Sequence, residues 1–165
     1  MTDPQPLAVT PDSTIFYKRD TSVTVAFDTI IINNASASSG NDIAALSSPD
    51  RNFALTVYVS DVNNGTTGNL GLTFTPSSCS GLSQGVNASS GSINISCSVD
   101  ITIPSAKCAD AHYFCVQILE GIEAIYNDSD ITNNILCVNI ADQKTCSPGK
   151  VNQDILLFFL YFGLY

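Results

Sequence analysis

Apolar and polar residues alternate with a period of two along most of this chain. The clearest run is "SINISCSVDITIP", in which Ile93, Ile95, Cys97, Val99, Ile101 and Ile103 fall on one face and Asn94, Ser96, Ser98, Asp100 and Thr102 on the other. Pro104 ends it, because proline has no N–H for a ladder. "NFALTVYVSD" sends Phe53, Leu55, Val57 and Val59 inward, "SVTVAF" sends Val23, Val25 and Phe27, and "NLGLTF" adds Leu70, Leu72 and Phe74. After Phe27 the alternation gives way to "TIII", which predicts a bulge or a strand covered on both faces. "YFCVQIL" and "NILCVNI" are two further strands. Connectors rich in Gly, Asn and Ser, such as "NNGTTG" and "NASSG", separate these runs. No segment carries a helical period long enough to compete, and no internal repeat is present. The pattern predicts an all-β antiparallel sandwich of about seven strands.

Composition agrees and removes some functions. The chain of 165 residues suits one domain with a proper core. Charged residues make up 13% of it, with 6 Lys+Arg against 15 Asp+Glu and a net charge of -9. Such a balance repels phosphate backbones and offers no polybasic patch for anionic lipids, so no nucleic-acid partner is expected.

Six cysteines stand at 79, 97, 108, 115, 137 and 146. An even count, no C-x-x-C pair and a single histidine fit a disulfide framework better than a zinc site, and a disulfide framework places the domain in an oxidising compartment. Side-chain parity suggests the pairing. Phe114, Val116 and Ile118 form the apolar face of one strand and Leu136, Val138 and Ile140 that of another, so Cys115 and Cys137 point to the opposite, outer face of neighbouring strands. Cys115 with Cys137, and Cys108 with Cys146, are nested about one hairpin to within two residues, which leaves Cys79 with Cys97. Six cysteines allow other connectivities, among them Cys97 with Cys115.

N-glycosylation sequons occur at Asn34, Asn64, Asn87, Asn94 and Asn127. Their number is little above chance for a chain so rich in Asn, Ser and Thr; their placement in predicted turns or on an outward strand face carries more weight. The first residues show no basic and apolar leader pattern, so an extracellular domain implies a fragment or a mature form. At the other end Ile155 to Tyr165 is an apolar run too short to span a bilayer. It reads as a truncated membrane segment, a lipid-anchor signal or a last strand, and any membrane contact is expected through it alone.

"FDTIIINNASAS", then "FALTVYVSDVNN", then the long alternating strand ending at proline, then "YFCVQI", an acidic turn and "TNNILCV" together resemble the CARDB-type, immunoglobulin-like β-sandwich over roughly Ser22 to Ile140. The resemblance implies an extracellular or cell-surface, adhesion-related module, and the added cysteines look more like a secreted animal version. On it the chain divides into an N-terminal extension or first strand (1–21), the sandwich (22–147) and a polar spacer with a short apolar tail (148–165).

The acidic turn "YNDSDITNN" is the candidate site. Asp128, Asp130, Asn133 and Asn134 are oxygen-bearing groups that a calcium ion could gather, yet the EF-hand spacing fails at Thr132 and lacks its glycine. The competing expectation is a polar hairpin tip in which Asn133 and Asn134 satisfy backbone groups. His112, the sole histidine, stands just before a strand and reads as a surface or turn residue. No phosphate loop and no nucleophile elbow occur. The expected function is a structural or adhesive module without catalysis or cofactor, contacting other extracellular domains or proteins. The alternative is a calcium-dependent or carbohydrate-binding module, with calcium as cofactor or a glycan as partner.

Overall fold

The structure, a computed structural model, describes residues 1–47, 49–63, 70–89 and 91–146. Among the described residues ten strands form: β1 (Pro4–Pro11), β2 (Tyr17–Lys18), β3 (Ser22–Asn33), β4 (Phe53–Ser60), β5 (Leu72–Phe74), β6 (Ser78–Ser80), β7 (Ser92–Thr102), β8 (Tyr113–Glu120), β9 (Ile135–Asn139) and β10 (Lys144–Thr145). One helical turn, α1 (Ser105–Cys108), joins β7 to β8. Sheet one has the order β1-β3-β7-β6 and sheet two the order β5-β4-β8-β9, both antiparallel throughout. β2 and β10 make a small parallel pair.

The alternating runs become the inner faces of the two sheets. Val25, Phe27 and Ile31 of β3 and Ile95, Val99 and Ile101 of β7 face Phe53, Val57 and Val59 of β4 and Phe114, Val116 and Ile118 of β8 in a single buried core. The Phe27 and Phe114 rings meet edge to face across the sheets at 5.4 Å between centroids. Each such buried aromatic or branched side chain contributes about 1.5–3 kcal/mol relative to exposure.

Two expectations about strands left alternatives open. β3 carries no bulge at "TIII": its register with β7 runs unbroken from Ser22 opposite Thr102 to Ile32 opposite Ser92. Thr29 takes an inward position, fully buried, with its hydroxyl donating to the Ala8 carbonyl at 3.1 Å, and Ile30 and Ile32 fall on the outer face. The irregularity lies in the partner strand, between Pro6 and Ala8. Of the two readings of residues 1–21, a first strand is the one present. Residues 4–11 are an edge strand along β3, and prolines are tolerated there because an edge strand has a partner on one side only, so alternate N–H groups are not needed for a ladder.

β3 and β4 are joined by a long connection that pairs with the β6–β7 connection, as Ile43 and Val86 exchange backbone hydrogen bonds. This region lies at the lower end of the sandwich, where β1, β4 and β7 start and β3 and β8 stop. Ser147 and the tail 148–165 lie outside the described residues.

Candidate functional site

The connection from β8 to β9 is no tight hairpin tip; it crosses the lower end as a loop of residues 121–134 that closes with a 3-10 turn, Ile131–Asn133. Its anchor is the chain's own beginning. Thr2 bridges to Asp128 in parallel fashion, the Thr2 hydroxyl donates to the Asn127 carbonyl at 2.7 Å, and the Ser129 hydroxyl donates to the Thr2 carbonyl at 2.8 Å. Tyr126 reaches down from the loop to donate its hydroxyl to the Asn52 carbonyl at 3.0 Å. Burial, then the carboxylates of Glu120 and Asp128, push that phenol well above its ordinary range.

Within the loop the expected roles of acids and amides are exchanged. The carboxylates satisfy backbone groups: Asp128 accepts from the Asp130 N–H at 3.0 Å, and Asp130 accepts from both the backbone N–H and the hydroxyl of Thr132. These two bonds hold the Asp130 carboxyl below the usual carboxylate range, the hydroxyl first and the N–H second. The amides satisfy carboxylates instead. Asn134 donates to the second oxygen of Asp128 at 2.6 Å, and Asn133 donates to Asp3 at 2.9 Å. The physical reason is position: Asn134 is buried at the base of β9 with its amide against the Asp128 carboxylate. Asp128, Asp130, Asn133 and Asn134 are therefore brought together as a closed hydrogen-bonded turn. The side-chain oxygens of Asn133 and Asn134 are buried without a partner. Among the described residues no group of three or more His, Cys, Asp or Glu is placed to hold a metal ion.

Two asparagines that the sequence did not single out do comparable work. Asn33 donates to the Asn41 carbonyl at 2.7 Å and accepts from the Asp3 N–H at 3.0 Å. Asn52, fully buried, donates to the Ala44 carbonyl at 2.8 Å and the Gln84 carbonyl at 2.9 Å. Asn52 follows the turn before β4 and Asn33 ends β3, so an asparagine at an inward position of a strand terminus was the available signal.

The bridges are Cys79–Cys97, Cys108–Cys146 and Cys115–Cys137. Cys115 stands opposite Cys137 in the β8–β9 ladder, and Cys79 opposite Cys97 in the β6–β7 ladder. Cys108 and Cys146 lie beyond the ladders, on α1 and after β10, so their bridge fastens the β7–β8 connection to the last described residue. Cys115 is on the outer face as parity requires, yet it is fully buried. His112 is half-buried rather than at the surface, because its backbone bonds both ways, N–H to Ser60 and carbonyl from Ile140, in the gap between β4 and the end of β9.

Asn34, Asn87, Asn94 and Asn127 are all exposed, and Asn64 lies outside the described residues. An open trough of about 670 Å³ lies over the outer face of sheet one, lined by small side chains such as Ala26, Ser78, Ser96 and Ser98. It holds no histidine and no paired acid and base; its carboxylates are Asp12 and Asp28, and Asp12 is already bonded to Thr14. Comparison with known protein families, curated proteins and solved structures finds no match.

Proposed function

We propose that this chain is an extracellular module of immunoglobulin-like, CARDB-like build, without catalytic activity, that serves structural or adhesive contacts. The observation that carries this reading is where the chemically capable groups have gone. Asn33, Asn52, Asp128, Asp130 and Asn134 spend their bonds on closing loops at the lower end, while three disulfides fasten strands and connections. Three bridges fit an oxidising, non-cytosolic environment. Strand order supports the family resemblance, since β1-β3-β7-β6 and β5-β4-β8-β9 follow the A-B-E-D and C′-C-F-G arrangement of immunoglobulin-type sandwiches. Beads coated with the folded chain should hold cells that produce it, in EDTA as in calcium, whereas reduced and unfolded chain should not. Beads that hold no cells in either medium would overturn the adhesive reading.

A second reading, a calcium-dependent module, is favoured by the unpartnered side-chain oxygens of Asn133 and Asn134 beside Asp128. Against it, both oxygens of Asp128 and one of Asp130 are already engaged within the turn. A ligand that binds the native state alone raises its melting temperature. The melting temperature should be the same in calcium and in EDTA; a rise with calcium that is lost in the Asp128→Asn, Asp130→Asn double variant would establish the second reading.

A further inference from the structure

We propose that this protein carries N-linked glycans at Asn34, Asn87, Asn94 and Asn127, and that they cover the apolar side chains the fold leaves bare at and near its lower end. The inference rests on the extracellular part of the reading above and not on its adhesive part.

Burial divides the asparagines by sequon. The four described sequon asparagines are all exposed, whereas Asn33, Asn52 and Asn134 are buried and Asn41 and Asn133 half-buried, which leaves Asn63 and Asn139 as the exposed ones outside sequons. Asn33 and Asn34 show the contrast at adjacent positions. The buried side chains use the very nitrogen that a glycan would occupy, Asn33 toward Asn41, Asn52 toward Ala44 and Gln84, and Asn134 toward Asp128. Among the sequon residues, Asn34 and Asn94 make only long bonds from that nitrogen, 3.3 Å to Asp3 and 3.5 Å to Ser96. A sugar there costs the fold little.

Position adds a second argument. Asn34 follows β3, Asn87 precedes β7 and Asn127 lies in the β8–β9 loop, so all three surround the lower end. Asn94 stands on the outer face of sheet one. Large apolar side chains are exposed beside them: Ile122 (98%), Ile125 (70%) and Ile131 (73%) in the loop that holds Asn127, and Ile30 directly opposite Asn94 in the β3–β7 ladder. Isolated apolar residues on a surface need no cover, but three exposed isoleucines within the one loop 121–134 concentrate apolar surface that a glycan on Asn127 is placed to cover.

The modification is a glycosyl transfer from a lipid-pyrophosphate-linked oligosaccharide of the secretory pathway. The asparagine side-chain nitrogen attacks the anomeric carbon, the carbon–oxygen bond to pyrophosphate breaks and its electrons leave with the lipid pyrophosphate. An N–C bond forms and one amide proton is released.

The test uses the full chain secreted from eukaryotic cells. N-glycan release in ¹⁸O-water should convert Asn34, Asn87, Asn94 and Asn127 to labelled aspartate and leave Asn33, Asn52 and Asn134 untouched. Enzymatic removal of the sugars from the folded protein should raise binding of an apolar dye several-fold with little change in melting temperature, and Asn127→Gln should reproduce most of that rise. Folded, three-bridged protein without sugar at these positions, or dye binding unchanged by deglycosylation, would overturn the inference. Either result leaves the cell-binding experiment unaffected, and glycosylated protein that binds no cells defeats the adhesive reading alone.

Discussion

Single side chains at the lower end decide how its loops close. Asn52 is the extreme case: its side-chain amide nitrogen donates to two carbonyls of neighbouring connections, while its backbone carbonyl accepts from Tyr126 and from the Gly121 N–H. Asn52→Ala takes the donor away from the Ala44 and Gln84 carbonyls and leaves a gap at a fully buried position, and stability measured by guanidinium unfolding with bridges intact should fall by about 2–3 kcal/mol. Asp128→Ala strands the buried Asn134 amide in the same way and should cost about 1–2 kcal/mol. Asp130 supplies a pH-dependent contribution. Its folded pKa is lowered by Thr132, so its contribution is fully present above the ordinary carboxylate value and is lost as pH falls through the lowered folded value. Thr132→Val removes the hydroxyl bond. The Asp130 titration followed by NMR should then move up toward the ordinary range, and an unmoved titration would count against the hydroxyl as its main cause.

At the scale of elements, the β8–β9 loop is held by the N-terminal residues as well as by its own turn. Removing residues 1–3 takes away the Thr2 and Asp3 partners of Asn127, Ser129 and Asn133. Limited proteolysis of that truncated chain should cut within 121–134 at least several-fold faster while the two sheets stay protected. Where β8 ends, Gly121 passes against the turn before β4: a Cβ added there would lie 2.0 Å from the Arg51 carbonyl oxygen. Gly121→Ala should therefore destabilise by about 2–3 kcal/mol, since backbone and not a flexible side chain must move. An unchanged melting temperature would show that the two segments part easily.

Across the whole molecule the three bridges act on different distances along the chain. Cys79–Cys97 closes 18 residues, Cys115–Cys137 closes 22 and Cys108–Cys146 closes 38. Chain entropy assigns each about 3–4 kcal/mol, with the longest loop contributing most. Replacing both members of each pair by Ala and comparing unfolding free energies should place Cys108–Cys146 first. A larger loss from Cys115–Cys137 would mean that burial of its sulfur in the outer face of sheet two outweighs loop length.

Which residues face the core was legible in the order of residues, because strand parity is a local property and "SINISCSVDITIP" or "NFALTVYVS" can be satisfied only with one face buried. Parity also aligned Cys115 with Cys137, since opposed residues of one antiparallel ladder share a face. Short-range pattern stopped there. β6 is three residues of serine and cysteine whose strand character comes wholly from pairing with β7. Thr29 lies inward with Phe27 and Ile31, and its buried hydroxyl is satisfied by a carbonyl from another strand, that of Ala8. The loop from Tyr126 to Asn134 has its shape from Thr2 and Asp3, more than a hundred residues away in the chain. Local sequence specifies which groups want burial or a hydrogen bond; a distant segment supplies the partner, so only the tertiary structure decides whether an asparagine braces the fold, as Asn33 does, or faces outward, as Asn34 does.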